Sequence, residues 1–223
     1  MPAFNEEETI SVAVANVRQA LHDLTRDFEI IVVDDGSTDG TLARLDALAA
    51  ASEVRVVRLP ENRGYGWALR AGFAAASRPL LFFTDSDDQF DAMDLSRLLA
   101  VIESADIVIG HREARRDGRL RAALSSGYNA LVRTLLEVHV RDVNCAFKLV
   151  RREVLVAMNL VSTGYAINAE IMARAARASL RVCEVPVTHR PRLAGRSKVS
   201  IANVPSSLLD LLWLRRALRA PPA

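Results

Sequence analysis

Two carboxylates and an amide at alternating positions are the residues of this sequence with the clearest chemistry. Asp85, Asp87 and Gln89 directly follow an apolar run at residues 80–84. Their oxygen atoms are hard ligands that suit Mg²⁺ or Mn²⁺. A bare carboxylate pair would repel a diphosphate, and a cation between them would remove that repulsion. The spacing therefore predicts a metal-assisted phosphate site, although a solvated acidic loop before the next helix could have the same residues.

A second acidic pair occupies the same kind of position earlier in the chain. Asp34 and Asp35 follow a nearly continuous apolar run at residues 28–33, which is typical of a strand buried on both faces. Adjacent carboxylates after such a strand indicate a binding role. An ordinary turn capped by Ser37 or Thr38 is the alternative.

Strands and helices alternate through the first half of the chain. Strands are predicted at 28–33, 54–59, 80–84 and 107–109, and helices at 10–24, 41–51, 64–76 and 92–103. This alternation predicts a mostly parallel, Rossmann-like α/β sheet flanked by helices. Ligands of such sheets bind beyond the carboxyl ends of the strands, where both acidic turns fall.

The start of the chain departs from this pattern. Residues 1–4 lead directly toward a helix that Asn5 and Glu8 are predicted to cap as a capping box. A parallel sheet of this kind would have a strand before that helix. We therefore expect the first strand to be missing and the natural start to lie about 6–10 residues upstream, a typical strand length.

Strands and helices alternate less regularly in the second half of the chain. Helices are predicted at 120–137, 167–178 and 204–219, and extended segments at 145–150 and 182–187. A basic segment at 188–199 contains Pro191 and Gly195 and is predicted to be a loop. We expect one domain at residues 1–200 and a helical tail at residues 201–223.

Length and composition favour one ordinary globular domain. The chain has 223 residues, half of them apolar and a quarter charged. The net charge is only +2, but acidic residues dominate the first half and basic residues the second, which suits a site with a metal on one wall and phosphates on the other. The two cysteines lack metal-ligand spacing. No signal peptide is predicted, and no run reaches the roughly 18 apolar residues of a membrane span.

An ordered set of short motifs resembles family 2 glycosyltransferases with the GT-A fold. These motifs are PAFNE at 2–6, VDDGSTDGT at 33–41, NRGYGWA at 62–68 and DSDDQ at 85–89. Three later segments are similar to polyprenol-phosphate (dolichol-phosphate) mannosyltransferases: DVNCAFKL at 142–149, EVPV at 184–187 and RLAGRSK at 192–198. The departures are the absent first strand and the lack of the C-terminal transmembrane helices that many relatives carry.

The resemblance implies a role for each matching residue. The nucleotide-sugar donor would be bound by Pro2, Phe4, Glu6, Asp35 and Asp85, and Mg²⁺ or Mn²⁺ by Asp85, Asp87 and Gln89. The acceptor phosphate would be bound by Arg112, Arg121, Ser125, Arg192 and Lys198. Asp87, Arg112 and Arg121 would be catalytic, and Glu170 is a weaker candidate for contact with a sugar hydroxyl. Helix capping by Asn5 and Glu6, a solvated basic face and an exposed Glu170 are the simpler alternatives.

The implied reaction is transfer of a hexose, with inversion, to a polyprenyl phosphate. Mannose from GDP-mannose is favoured, followed by glucose from UDP-glucose. The acceptor phosphate is already largely ionised near neutral pH, so no strong general base is needed. A membrane surface is the expected partner, with a membrane protein as a further candidate, and nucleic acid is not expected. The expected location is cytoplasmic and peripheral at the inner face of the membrane. Residues 204–219, with their Leu, Trp and Arg side chains, could lie in a membrane interface, pack on the domain or form part of a stalk.

Three other functions stay open. A family 2 enzyme could act on a glycan or another non-lipid acceptor, although segments 142–149 and 192–198 weigh against this. A nucleotidyltransferase also uses acidic metal sites, but such enzymes usually have a Gly-rich basic loop where residues 5–8 here read NEEE. An inactive binding module is the third.

Overall fold

The computed structural model describes residues 1–25, 27–50, 53–112, 119–192 and 204–219. Within these ranges, residues 119–125 and 204–207 are described by their backbone alone. Its strands are β1 Pro2–Ala3, β2 Ile30–Asp34, β3 Val54–Arg58, β4 Leu80–Phe83, β5 Ile107–Arg112, β6 Lys148–Arg151 and β7 Val182–Val187. Its helices are α1 Ile10–Leu24, α2 Thr41–Leu48, α3 Tyr65–Ala75, α4 Leu95–Leu99, α5 Arg119–Leu136, α6 Arg152–Ala157, α7 Ile167–Arg177 and α8 Val204–Arg219.

Two adjoining sheets form the centre of the fold. One has the order β1-β2-β3 with parallel pairing throughout, and the other has the order β4-β6-β5-β7. In the second sheet β5 pairs parallel with β7, whereas β6 is antiparallel to both of its neighbours. The mostly parallel α/β sheet predicted from the sequence is therefore confirmed, with β6 as the strand that runs the other way.

The reversed direction of β6 decides which residues meet at one edge. Lys148, the first residue of β6, pairs with Phe83 on β4 and with Ile109 on β5. The start of β6 therefore lies beside the carboxyl ends of its neighbours. The segment that precedes β6 reaches the same edge as the acidic turn after β4.

A short first strand is present, which corrects the prediction that it would be missing. Pro2 and Ala3 pair parallel with Val33 and Asp34 of β2. The Met1 amino group donates to the Ile31 carbonyl at 2.8 Å, and burial lowers its pKa to about 5. Backbone hydrogen bonds to β2 thus make a strand from residues whose side-chain pattern does not indicate one.

Two local predictions also need correction, and one helix was missed. Asn5 does not cap α1, because its side chain accepts a hydrogen bond from the Thr38 backbone at 2.8 Å and the helix begins at Ile10. The helix predicted at 92–103 is broken into α4 and two flanking 3₁₀ turns. Helix α6 follows β6 directly and was not predicted.

Helix α8 packs one face on the domain and leaves the other exposed. Its bounds match the prediction. Leu211, Leu214 and Leu218 are buried in the core cluster that also holds residues of α3, α5 and α7. Its outer side exposes apolar side chains, namely Leu208, Leu209, Leu212 and Trp213. Among the described helices, none combines the length and apolar character that crossing a membrane requires.

Candidate active site

The end of β2 is joined to the start of α3 through Asp35. The residue is only 3% exposed, and its carboxylate accepts hydrogen bonds from the backbone of Arg63 at 2.8 Å and Gly64 at 2.9 Å. Burial raises the pKa of Asp35, and the two backbone bonds oppose this rise. Asp35 therefore holds the turn before α3 at the end of β2, beside the first residues of the chain.

Glycine is required in that turn by close contact with the loop before α7. Gly64 has a φ of +97°, and a Cβ at this position would lie 2.8 Å from the Thr163 carbonyl oxygen. A Cβ on Gly66 would lie 2.7 Å from the carbonyl oxygens of Ser162 and Gly164. The first turn of α3 is thus packed directly on a backbone segment from the second half of the chain.

The first residues of the chain contact the acidic turn after β4. The Ser86 hydroxyl donates to the Pro2 carbonyl at 2.8 Å, and the Thr9 hydroxyl donates to the Ser86 carbonyl at 3.1 Å. Thr9 also lies 3.1 Å from a carboxylate oxygen of Glu6, which is buried. These bonds join the two sheets and bring Pro2, Phe4 and Glu6, the predicted donor-binding residues, to the side of the acidic turn.

Asp85 lies at the end of β4 against the phenol of Tyr65. The Tyr65 hydroxyl donates to Asp85 Oδ1 at 3.0 Å. Burial, and then the negative charge of Asp87, raise the pKa of Asp85 to about 7. The hydrogen bond from Tyr65 and the positive charges of Lys148 and Arg112 oppose that rise.

Asp87 faces the basic segment that follows β7. Arg192 forms an ion pair with Asp87 through Nη2, and its Nη1 lies 3.8 Å from Glu6 Oε2. Burial raises the pKa of Asp87, while the positive charge of Arg192 lowers it. Arg192 supplies at Asp87 the opposite charge that a metal ion could also supply.

Gln89 is buried and its orientation is set by the same basic segment. Its side-chain amide nitrogen donates to the Arg190 carbonyl at 3.0 Å. The carbonyl oxygen of the side chain is then the atom that could ligate a cation. Asp88 instead accepts a hydrogen bond from Asn16 at 2.8 Å, which ties the turn to α1.

Arg112, the last residue of β5, forms a bidentate ion pair with Asp142 that the sequence did not predict. Its Nε donates to Asp142 Oδ2 at 2.7 Å and its Nη2 to Asp142 Oδ1 at 2.9 Å. The Asp142 side chain is 4% exposed and that of Arg112 is 14% exposed. The pair fixes the guanidinium at the edge of the sheet, close enough to Asp85 to favour the ionised carboxylate.

Lys148 is a buried cation next to this cluster, and sequence reasoning assigned it no role. It is fully buried, and burial lowers its pKa to about 8. The signal was available, because Lys148 is a charged residue in an otherwise apolar segment. Tyr65 and Asn168 were missed for a different reason, since they reach the site only through long-range packing.

Several of the predicted site residues lie where the structure does not describe their side chains. Lys198 lies outside the described residues, as do Gly195 and Ser197 of the basic loop. Arg121 and Ser125 lie near the start of α5, where only the backbone is described. Their predicted contacts with an acceptor phosphate stay predictions.

Glu170 does not have either of the roles considered for it. It is fully buried, and its carboxylate accepts hydrogen bonds from the backbone of Val161 and Ser162 and from Arg174 Nε at 2.8 Å. The prediction of a sugar contact and the alternative of an exposed carboxylate are both wrong. Both oxygens are engaged by the loop that supports α3.

The donor set at the end of β4 fits a hard divalent cation. Asp87 is buried and Asp85 is half-buried. The pKa values of both carboxyl groups are raised mainly by the loss of water around them, and a bound cation would offset that cost. In the part of the chain that the structure describes, no group of three or more His, Cys, Asp or Glu side chains is placed to hold a metal. The two carboxylates would therefore share Mg²⁺ or Mn²⁺ with Gln89, water and phosphate oxygens, as Mg²⁺ sites commonly do.

The layered α/β fold with its acidic strand ends places the chain in the GT-A class of proteins. It is similar to the crystal structure of glucosyl-3-phosphoglycerate synthase from Mycobacterium tuberculosis in complex with Mn²⁺ and UDP-glucose. The TM-score is 0.73 at 26% identity, and the match covers 100% of this chain and 78% of that chain. The family model for glycosyl transferase family 2 matches residues 1–157. The chain belongs to this family, which confirms the prediction from the motifs.

Three similar proteins have names that indicate sugar transfer to prenyl phosphates. The polyprenol monophosphomannose synthase of Mycolicibacterium smegmatis is 34% identical over 225 residues, covering 95% of this chain and 83% of that protein. The dodecaprenyl-phosphate galacturonate synthase of Rhizobium johnstonii is 32% identical, with 95% of this chain and 64% of that protein covered. The undecaprenyl-phosphate 4-deoxy-4-formamido-L-arabinose transferase of Aeromonas hydrophila is 31% identical, with 95% of this chain and 65% of that protein covered. The chain thus spans just under two thirds of the length of the last two relatives.

Proposed function

We propose that this chain transfers a hexose from a nucleotide-sugar to a polyprenyl phosphate, with inversion at the anomeric carbon. The observation that carries the proposal is the meeting of carboxylates and cations at one edge of the sheet. Asp85 and Asp87 lie there with Arg112, at the end of β5, and Arg192, in the segment that follows β7. A reaction that brings two phosphate groups together needs both kinds of charge.

The donor side of the proposal uses the first residues of the chain and the two acidic turns. Pro2, Phe4, Glu6 and Asp35 would bind the nucleoside, since they border the acidic turn after β4. Asp85, Asp87 and Gln89 would hold Mg²⁺ or Mn²⁺. The ion, when bound, neutralises charge on the departing nucleoside diphosphate. The similar protein from M. tuberculosis, solved with Mn²⁺ and UDP-glucose, supports this assignment.

The acceptor side uses the basic residues. Arg112 and Arg192, with Arg121, Ser125 and Lys198, would hold the acceptor phosphate through charge-assisted hydrogen bonds. A phosphate monoester is largely ionised at neutral pH, with a second pKa of about 6. Its oxygen can therefore attack the sugar without a strong general base. Arg192 would exchange its pairing with Asp87 and Glu6 for the phosphate.

Mannose is our first choice of sugar and glucose our second. The relative from M. smegmatis is a monophosphomannose synthase by name and is covered over 83% of its length. The similar crystal structure contains UDP-glucose. The donor would accordingly be GDP-mannose or UDP-glucose.

A transfer assay tests the function directly. The full chain would be incubated with radiolabelled GDP-mannose or UDP-glucose, a polyprenyl phosphate and Mn²⁺ or Mg²⁺, and the organic phase would be counted. We expect label in the lipid phase, and its complete loss in Asp87→Asn. No lipid-linked product from any donor would overturn the acceptor assignment, and an unchanged Asp87→Asn would overturn the metal assignment.

A non-lipid acceptor is the second candidate, because crystal structures of the similar M. tuberculosis protein contain phosphoglyceric acid or glucosyl-3-phosphoglycerate. The same assay with 3-phosphoglycerate as acceptor separates the two. Label that stays in the aqueous phase as a new phosphorylated glycoside would favour the second candidate. Membership of glycosyl transferase family 2 favours sugar transfer, to either acceptor, over nucleotidyl transfer.

We also propose that α8 lies on the inner face of the membrane, where the acceptor is located. Its outer side exposes Leu209 and Trp213, 67% and 54% exposed, and the helix ends in basic residues. Apolar and Trp side chains beside Arg favour the interface of an anionic bilayer. Peripheral association of this kind would keep the enzyme in the cytoplasm, with a membrane-protein partner as a further candidate.

Liposome flotation tests this membrane contact. Leu209→Glu combined with Trp213→Glu should reduce flotation with anionic vesicles. Val12→Glu is the matched control, because Val12 is an apolar residue on α1 with 51% exposure. Equal flotation of the double variant and the control would refute the contact.

A further inference from the structure

Three consecutive residues at the start of α3 donate hydrogen bonds to carboxylates of both sheets. The backbone NH groups of Arg63 and Gly64 donate to Asp35, just after β2, at 2.8 and 2.9 Å. The Tyr65 hydroxyl donates to Asp85 Oδ1, just after β4, at 3.0 Å. We call residues 63–65 the bridging turn. It connects a carboxylate proposed to bind the nucleoside with one proposed to bind the metal.

The backbone of Tyr65 is held on both sides. Asp35 accepts from the two residues before it. After it, the Trp67 NH donates to the Thr163 carbonyl at 3.0 Å. A Cβ on Gly66 would lie 2.7 Å from carbonyl oxygens of the same loop before α7. The Cα of Tyr65 therefore has little room to move.

The ring of Tyr65 is held by packing. It stacks on the ring of Tyr165, with centroids 5.2 Å apart and planes at 24°. It also packs against the core cluster that contains residues of α3, α5 and α7. Tyr165 is itself fixed at the start of α7, because its carbonyl accepts from the Asn168 NH at 3.3 Å. A tyrosine side chain has only two torsions, so the backbone and the ring plane together place the hydroxyl.

A hydrogen bond on one oxygen changes how a carboxylate can bind a metal ion. A carboxylate can bind a divalent cation through one oxygen or through both. The Tyr65 hydroxyl holds Asp85 at one side-chain torsion and uses a lone pair of Oδ1. Oδ2 is then the oxygen that is better placed for the ion. Such orientation matters most for Mg²⁺, which requires nearly ideal octahedral geometry.

We infer that Tyr65 is a positioning residue for the divalent cation, and that Tyr165 supports it. Tyr65 holds Asp85 in the orientation that presents one oxygen to the ion, and the bridging turn ties that orientation to Asp35. Groups that orient a metal ligand in this way have large effects on affinity. The inference rests on the proposed function, because it takes Asp85 as a ligand of the metal.

The test compares two Tyr→Phe variants. Mn²⁺ binding to the full chain would be measured by electron paramagnetic resonance in the presence of UDP or GDP. Tyr65→Phe should weaken Mn²⁺ binding by about 10- to 100-fold. Tyr128→Phe is the matched control, since Tyr128 lies on α5 and packs against the same core cluster. Both variants lose one hydroxyl and keep the ring, so a loss confined to Tyr65→Phe does not come from weaker core packing.

A second measurement separates positioning of the metal ligand from a part in the reaction. The rate of sugar transfer would be followed as the Mn²⁺ concentration is raised. Tyr65→Phe should need about 10- to 100-fold more Mn²⁺ for half of its maximal rate. Its rate at saturating Mn²⁺ should approach that of the wild type. A rate that stays low at saturation would place Tyr65 in the reaction and overturn the inference.

A double-mutant cycle tests the support by Tyr165. Tyr165→Leu removes the stacked ring and should weaken Mn²⁺ binding in the wild-type background. It should have no further effect in the Tyr65→Phe background, because no hydroxyl is left there to position. Additive losses would overturn the supporting role of Tyr165.

The outcomes distinguish this inference from the proposed function. A wild-type chain that binds no Mn²⁺ with either nucleotide overturns both the metal assignment and the inference. A wild-type chain that binds Mn²⁺, with Tyr65→Phe binding it equally or more tightly, overturns the inference alone. Equal impairment of Tyr65→Phe and Tyr128→Phe has the same consequence, since the loss would then be structural.

Discussion

Replacing Glu170 by Gln should destabilise the fold strongly while leaving its shape almost unchanged. One carboxylate oxygen accepts from Arg174 Nε at 2.8 Å and from the Val161 backbone at 3.0 Å. The other accepts from the Ser162 backbone at 2.8 Å and from Val161 at 3.1 Å. A glutamine would place an NH₂ group against one of these two sets of donors, whichever way it is turned.

The magnitude follows from the charge and the burial. The change removes at least one hydrogen bond to a charged group, each contributing about 1.5–3 kcal/mol, and leaves a buried donor unpaired. Breaking a buried ion pair has a similar or larger cost, about 3–5 kcal/mol. We therefore expect the free energy of unfolding to fall by about 3 kcal/mol. For a domain of this size that corresponds to a decrease in Tm of roughly 6–12 °C.

Thermal and denaturant unfolding would measure the loss, with Glu103→Gln as the control. Glu103 is also paired with an arginine, Arg151, at 3.8 Å, but its side chain is 91% exposed. Such a pair contributes at most about 1 kcal/mol, so the control should unfold close to wild type. If Glu170→Gln is destabilised no more than Glu103→Gln, the view that Glu170 supports the loop before α7 is refuted.

Three further predictions concern the pH dependence of metal binding, two glycines and the thiols. Burial and the negative charge of Asp87 raise the pKa of Asp85 to about 7. The affinity for Mn²⁺ should therefore rise about tenfold per pH unit up to that pH and then level off. A flat profile of Mn²⁺ affinity between pH 5.5 and 8.5 would contradict this. Because folded Asp85 binds its proton more tightly than the unfolded chain does, its contribution should make the metal-free fold less stable as pH rises toward 7. Gly64→Ala should destabilise, given its positive φ and blocked Cβ position, whereas Gly127→Ala, on open helix surface, should stabilise by about 0.5–1 kcal/mol; denaturation curves that fail to separate the two would count against the close packing. Burial raises the pKa of the Cys145 thiol to about 12, so a thiol reagent should label Cys183 first in the native protein and Cys145 only on unfolding; equal rates would contradict the buried position.

Much of the fold could be predicted because its signals are local. The order of strands and helices in the first half of the chain follows from apolar runs and helical periods, which depend on nearby residues alone. The bounds of α8 were predicted without error, because its periodicity is uninterrupted. The first strand was predicted to be missing because it consists only of Pro2 and Ala3, which pair with β2 through their backbone. Side-chain patterns do not record such pairing.

The acidic part of the candidate site was also predictable. Asp35, Asp85 and Asp87 each follow an apolar strand, and the ligands of a parallel sheet gather at strand ends. Local sequence therefore indicates both the residue types and the edge at which they lie. The partner of each residue was not predictable, as the pairing of Arg112 with Asp142 shows.

The sequence by itself determined a glycosyl transferase family 2 chain with carboxylates at its strand ends, because both features are written in short contiguous motifs. Only the tertiary structure decided what surrounds those carboxylates. The antiparallel insertion of β6 brings Lys148 between Phe83 and Ile109, and the packing of α3 on the loop before α7 brings Tyr65 to Asp85. These contacts join residues 20 to 99 positions apart along the chain. No local period specifies them, because strand order and loop packing are settled by the burial of the whole core.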